Sequence, residues 1–97
     1  MNSLRLNESL TECSELLQSV GETFWSGKIE AVLAQGISDY CVRGILEWYG
    51  GMGSFSDLMI CRINGHDVRS EDEPEINQKL SVLRTMIYEE ADALNKG

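Results

Sequence analysis

Hydrophobic side chains recur at helical spacing over the first twenty residues of the chain. The spacing i, i+4, i+7, i+11, i+14 places one set on a single stripe of a helix: Leu6, Leu10, Cys13, Leu17 and Val20. The opposite face carries a row of carboxylates, here called the N-terminal patch: Glu8, Glu12, Glu15 and Glu22. The pattern predicts an amphipathic helix that ends at Gly21.

Two shorter helices are predicted in the middle of the chain. The second helix is predicted to begin at a Ser26 cap and to stop at Gly36. Ser38 and Asp39 open the third helix, because a side-chain oxygen and a negative charge suit the positive end of a helix. Gly50 is placed to cap the C-terminus of that helix.

The last predicted helix has the longest hydrophobic stripe. Its inward positions are Ile76, Leu80, Leu83, Ile87, Ala91 and Leu94. Ser70 and Glu73 match the capping-box pattern of a helix start, and Pro74 is tolerated only near such a start. The sequence therefore predicts that the regular part of this helix begins around Glu73 and ends near Asn95.

The connection before the last helix, "EWYGGMGSFSDLMICRINGH", is rich in glycine. Asn64-Gly65 is a strong hairpin signal, because both residues tolerate the positive φ that a two-residue turn requires. A short β-hairpin is therefore predicted at about residues 57–69. The alternative is a short helix that is capped by Ser54 and ended by Gly65. In both cases the glycines serve mainly to reverse the chain.

Length and composition favour a single domain over residues 1–97. The chain has 97 residues, of which 42% are hydrophobic, enough to form one core. The predicted fold class is mainly α: a compact bundle of about four helices with a short β-hairpin before the last one. Neither an apolar run of about 18 residues nor the pattern of a signal peptide is present, so a cytoplasmic protein is expected.

The balance of charges indicates the kind of partner. Sixteen Asp and Glu residues against eight Lys and Arg residues leave a net charge of -8. Such a surface repels nucleic acid and anionic membranes, and it attracts basic proteins. The densest acidic segment is here called the central patch: Asp67, Glu71, Asp72, Glu73 and Glu75. The sequence favours the central patch as the partner-binding surface, with the N-terminal patch as the second candidate.

Few residues in the sequence are suited to metal or catalytic chemistry. Cys13, Cys41, Cys61 and His66 lack the paired spacing of structural zinc sites. We therefore expect three reduced thiols, no metal and no cofactor. The "GGMG" segment has neither the preceding strand nor the lysine of a phosphate-binding loop. His66 is the only histidine and lies beside a turn, so no catalytic residue and no enzymatic activity are expected.

The segment "WYGGMGSFSDLMI" followed by "NGH" resembles a family of small uncharacterised bacterial proteins. These proteins carry the pattern W-[YF]-G-G-M-G-S-[FL]-[NS]-D-L before an N-G-H turn, and the resemblance covers about residues 45–88. It implies no particular activity and no catalytic residue. In size and charge the chain is also similar to bacterial immunity proteins, which neutralise a cognate toxin.

These observations lead to a functional expectation. A nuclease must present Lys and Arg to phosphates, and a carboxylate-rich surface competes for those side chains. We expect an immunity-type inhibitor that binds a basic partner, a cognate nuclease toxin, and that binds neither nucleic acid nor membrane. The alternative is a small-molecule or regulatory binding module that uses the "GGMGSF" loop.

Overall fold

The computed structural model describes residues 3–96, and these residues form a bundle of four α-helices. The helices are α1 (Leu4–Ser19), α2 (Thr23–Gln35), α3 (Asp39–Glu47) and α4 (Glu73–Lys96). Helix α1 packs against both α2 and α4, and α3 packs on α4. The long connection between α3 and α4 contains three short 3-10 turns, Phe55–Asp57, Arg62–Asn64 and Ser70–Asp72. The predicted helical bundle is confirmed.

The hydrophobic stripes of the two longest helices form the centre of the core. All five residues of the predicted α1 stripe are no more than 3% exposed. On α4, Leu80, Leu83, Ile87 and Ala91 are buried, and Ile76 and Leu94 pack against the same core nearer the helix ends. Both stripes follow the period of 3.6 residues, so the prediction from the sequence is confirmed for these two helices.

Of the caps predicted at Ser26, Ser38 and Gly50, the structure confirms the one at Ser38. Ser38 Oγ accepts the Cys41 N–H at 3.3 Å and caps α3 as predicted. Helix α2 begins at Thr23, before Ser26, because the Glu22 carboxylate accepts the Trp25 N–H at 3.1 Å and serves as the cap. Helix α3 ends at Glu47, so the predicted cap at Gly50 is wrong.

The predicted β-hairpin at residues 57–69 is wrong. The part of the chain that the structure describes contains no β-strand. The segment instead carries the end of the first 3-10 turn and the whole of the second. Gly65 adopts the left-handed conformation, with φ of 88°, and ends the second turn. The alternative of one short helix between Ser54 and Gly65 is replaced by these two separate turns.

The hairpin is absent because its backbone groups bond to the helices. Ile60 donates its N–H to Asn77 Oδ1 and accepts from Asn77 Nδ2, both at 2.8 Å, so one side-chain amide of α4 pairs with the Ile60 backbone. Asp67 donates its N–H to the Val20 carbonyl at 2.9 Å, beyond the end of α1. These bonds take the place of a hairpin ladder, and they connect the segment to α4 and to the residue that follows α1.

Across residues 3–96, none of the helices combines the length and the apolar character that crossing a membrane requires.

Candidate functional site

The glycine-rich segment forms a loop that its own groups close. Phe55 donates its N–H to the Trp48 carbonyl at 2.8 Å. The Asp57 carboxylate accepts the Gly53 N–H at 2.9 Å. Gly51 and Gly53 have positive φ, 81° and 74°, which side-chain-bearing L-residues rarely adopt. These glycines therefore serve the geometry of the chain reversal.

An aromatic cluster holds the loop against the core. Phe55 is fully buried, and its ring centroid lies 4.9 Å from that of Trp25, 5.9 Å from that of Trp48 and 5.6 Å from that of Tyr49. Tilted and edge-to-face arrangements of this kind add about 0.5–1.5 kcal/mol per pair to the burial of the rings. The aromatic residues of the motif therefore stabilise the packing of the loop against the core.

The Arg84 side chain of α4 binds backbone carbonyls of the same loop. Its Nη1 lies within hydrogen-bonding distance of the carbonyls of Phe55, Ser56 and Leu58, at 2.9, 3.2 and 2.8 Å. In return, the Tyr49 hydroxyl donates to the Arg84 carbonyl at 2.7 Å. Several polar groups of the loop are therefore engaged within the fold, which agrees with its interpretation as a chain reversal.

Two residues that the sequence did not bring together form an inward-facing pair. His66 Nε2 lies 2.9 Å from Glu22 Oε1, and the two side chains are 6% and 12% exposed. The Cys61 N–H donates to His66 Nδ1 at 3.2 Å, so we assign the imidazole proton to Nε2, which donates to Glu22. Glu22 therefore leaves the exposed row of the N-terminal patch and faces the interior.

The Glu22–His66 pair acts as a structural tie between two parts of the fold. Within residues 3–96, the hydrogen-bond partners of the His66 side chain are the Glu22 carboxylate and the Cys61 backbone. The pair links the α1–α2 junction to the 3-10 turn that ends at Gly65.

The central patch lies beside a shallow groove, where its carboxylates meet basic residues of the same chain. Asp67, Glu71 and Asp72 line this groove together with Arg62 and Arg69. Arg69 forms ion pairs with Glu71 at 3.3 Å and with Asp72 at 2.9 Å. Part of the negative charge predicted here is therefore neutralised within the chain.

The other two residues of the central patch also have partners in the chain. Glu73 accepts the backbone N–H of Arg62 at 3.2 Å. Glu75 forms an ion pair with Lys79, one helical turn further along α4, at 3.5 Å. The structure thus brings three of the five residues to one groove, and the other two contact Arg62 and Lys79.

The N-terminal patch is reduced to three exposed carboxylates on α1: Glu8, Glu12 and Glu15. Among the ion pairs found in residues 3–96, none includes any of these three residues. Arg69 and Lys79 instead form their ion pairs with carboxylates of the central patch.

A second groove runs between α1 and α4 beside this row. Its apolar lining includes Leu16 of α1 and Val82 and Met86 of α4, and its polar lining includes Glu12 and Glu15. Val82 is 49% exposed and Met86 is 41% exposed. We call this feature the α1/α4 groove. It combines exposed apolar surface with carboxylates that have no ion pair in the described chain.

The cysteines are the main candidate metal ligands of the sequence. The three cysteines are free; Cys13 and Cys41 are buried, and Cys61 is half-buried. Burial raises the pKa of the Cys13 thiol to about 12, an effect that the nearby Arg84 charge partly opposes. In the described segment 3–96, no cluster of three or more His, Cys, Asp or Glu residues is arranged to hold a metal ion.

Comparison with other proteins adds a family to this description. No curated protein and no solved structure matches the chain. The sequence profile of DUF6966, a domain of unknown function, matches residues 18–69. The matched range is more than half of the chain and includes both the glycine-rich loop and the turn at Gly65. The chain therefore belongs to the DUF6966 family.

Proposed function

We propose that this chain is a non-catalytic, cytoplasmic binding protein of the immunity type. In this role it binds a basic nuclease toxin and covers the side chains with which the toxin holds phosphate. A nuclease has to expose Lys and Arg at its substrate site, and carboxylates held in a fixed row compete with the phosphates for them. The net charge of -8 also accelerates the encounter with such a partner.

The unpaired acidic row on α1 is the observation that supports this proposal. Glu8, Glu12 and Glu15 are exposed, and they take part in none of the ion pairs found in the described chain. Like charges at this spacing destabilise a helix by about 0.2–0.5 kcal/mol per pair, so the row has no evident role in folding. Binding a cation here breaks none of the ion pairs found in residues 3–96.

The central patch is the second candidate surface for the same function. Its carboxylates are denser in the sequence, so charge density alone favours it. A partner would have to compete with Arg69 for Glu71 and Asp72, and with Lys79 for Glu75. For this reason we assign the primary contact to the N-terminal patch.

The proposal does not use the "GGMGSF" loop as a small-molecule site. The Gly53 and Phe55 N–H groups already donate to Asp57 and Trp48. The Phe55 carbonyl accepts from Arg84, and the Phe55 side chain is fully buried. A ligand would have to replace these internal hydrogen bonds, and no observation favours that alternative.

Affinity capture with charge-reversed variants tests the proposal. The wild-type chain, Glu12→Lys/Glu15→Lys and Asp72→Lys/Glu75→Lys are immobilised and exposed to lysate from the native cell. We expect the wild-type chain to retain a basic protein whose nuclease activity is inhibited by added free chain. Raised salt should weaken this complex.

The two variants distinguish the candidate surfaces. Reversal at Glu12 and Glu15 should abolish capture, whereas reversal at Asp72 and Glu75 should have the smaller effect. The opposite order would move the interface to the central patch. If the wild-type chain retains no basic protein at low salt, or if the captured protein has no nuclease activity that the chain inhibits, the immunity function is wrong.

A further inference from the structure

The α1/α4 groove is suited to bind a third helix. Helices α1 and α4 are antiparallel: Ser9 bonds to Glu90 near one end, at 3.4 Å, and Leu16 lines the groove with Val82 and Met86 further along. A groove between two packed helices can receive the apolar face of an amphipathic helix, whose anchors recur every three or four residues. The exposed side chains Val82 and Met86 stand one helical turn apart on α4 and would meet such anchors.

The charge around the groove indicates that its binding partner carries positive charge. Glu12 and Glu15 of α1 belong to its lining, and Glu8 precedes them by one turn on the same helix. Lys79, which also belongs to the lining, is paired with Glu75. The carboxylates on the α1 side therefore lack a compensating ion pair in residues 3–96. An occupant with lysines or arginines beside its apolar face complements both features.

We propose that the α1/α4 groove binds one basic amphipathic helix of a partner protein. The apolar face of that helix packs on Leu16, Val82 and Met86, and its basic flank pairs with Glu12 and Glu15. The inference rests on the proposed function for the acidic row, and it adds the form of the partner segment. A second copy of this chain is the poorer occupant, because it brings its own net charge of -8 to the same surface.

Synthetic helical peptides test the groove without the natural partner. The probe carries leucines at i, i+3, i+4 and i+7, with lysines and arginines flanking that stripe. A scrambled peptide of the same composition keeps the charge and loses the stripe, and an acidic peptide keeps the stripe and reverses the charge. Titration calorimetry measures binding of each peptide, and NMR shift changes locate it on the chain. We expect binding of the basic amphipathic peptide alone, with the shifts confined to α1 and α4.

Three variants connect that binding to particular side chains. Val82→Ser/Met86→Ser removes exposed apolar surface from the groove and should weaken binding about tenfold or more, as truncation of interface anchors does. Glu12→Gln/Glu15→Gln should weaken binding and reduce its salt dependence. Met52→Ser is the matched control, because Met52 is 99% exposed and lies outside the groove lining. Binding to this control should equal that to the wild type, and circular dichroism checks that all variants remain folded.

The outcomes separate this inference from the immunity function. Equal binding of the scrambled peptide would contradict the proposed binding of a helix in the groove. Binding that is unchanged in Val82→Ser/Met86→Ser would contradict it too, as would self-association of the chain through this face in sedimentation. If a nuclease is captured and inhibited but Val82→Ser/Met86→Ser keeps full inhibition, the groove is not the binding site and the immunity function stands. If the peptide binds in the groove but no nuclease is captured, the groove is a helix-binding site and the immunity function is wrong.

Discussion

The Glu22 carboxylate receives hydrogen bonds on both oxygens, and His66 supplies one of them. His66 Nε2 lies 2.9 Å from Oε1, and the Trp25 N–H donates to Oε2 at 3.1 Å. One side chain thus caps the first turn of α2 and anchors a residue 44 positions further along the chain. Because both groups are largely shielded from water, the loss of either bond leaves a polar group poorly solvated.

Replacement of Glu22 by glutamine is the first prediction. Glutamine has one acceptor oxygen, so its amide NH2 group would face either the Trp25 N–H or the His66 N–H. We expect Glu22→Gln to lower the free energy of unfolding by about 1–3 kcal/mol in urea titrations. Glu15→Gln makes the same change of charge at an exposed position of α1 and should stay within about 0.5 kcal/mol of the wild type. Equal stability of the two variants would show that the pair contributes nothing.

The helices were predictable because their signals are local and repeated. The stripe from Leu6 to Val20 repeats over four turns, and its burial follows directly from the period. The Glu22–His66 pair joins residues 44 positions apart, so no local pattern in the sequence predicts it. The Asn64-Gly65 signal predicts positive φ at both residues, but only Gly65 adopts it, and the partner that decides the backbone pairing is distant in the chain.

Asn77 is that distant partner, and its substitution gives the second prediction. Its Nδ2 donates to the carbonyls of Ile60 and Glu73, each at 2.8 Å. Aspartate at this position keeps the acceptor for the Ile60 N–H, but it turns a carboxylate oxygen towards two carbonyls. We expect Asn77→Asp to cost about 1–3 kcal/mol, measured by thermal or chemical unfolding. The neighbouring Gln78→Glu adds the same charge at an exposed position of α4 and should have little effect.

A further measurement separates a local effect from general destabilisation in the Asn77 variant. Hydrogen exchange at the Ile60 amide should accelerate more in Asn77→Asp than exchange in the centre of α1, because the lost contacts lie at the connection. Uniform acceleration throughout the chain would argue that the Asn77–Ile60 pairing has no special place in holding the connection.

The candidate site was predictable only in part. The sequence indicates both acidic patches: the helical spacing of glutamates indicates the N-terminal patch, and the local density of Asp and Glu indicates the central patch. Which carboxylates remain unpaired depends on the positions of a few cations: Arg69 pairs with Glu71 and Asp72, and Lys79 pairs with Glu75. The α1/α4 groove depends on how two helices far apart in the chain pack together, and neither stripe alone indicates it.

The third prediction concerns the loop geometry at Gly53. A Cβ atom at Gly53 would meet nothing within 4 Å, so only its φ of 74° opposes substitution. Alanine pays about 1–2 kcal/mol in the left-handed region, and we expect Gly53→Ala to lose stability by that amount in thermal unfolding. Gly50→Ala is the control: its Cβ also meets nothing within 4 Å, and its φ lies outside the left-handed region. An equal cost at both positions would contradict the conformational explanation.

The last prediction uses the buried Cys13 thiol as a reporter of alkaline unfolding. Burial raises its pKa to about 12 in the folded chain, whereas the pKa of an unfolded cysteine is about 8.5. Between these values the unfolded chain has lost the proton and the folded chain retains it. The stabilisation is therefore complete below the unfolded pKa, and it decreases as the pH rises through this window, by at most about 1.4 kcal/mol per pH unit. Urea unfolding at a series of alkaline pH values, with a reductant present, measures the slope.

Cys13→Ala removes this titration while every other ionisable group remains. The variant should be less stable than the wild type near neutral pH, because it loses part of a buried side chain. Its stability should then fall less steeply as the pH rises, so the two curves converge above about pH 9. Parallel curves would show that the thiol titrates alike in the folded and unfolded chains. That result would contradict the burial of Cys13 in the hydrophobic core.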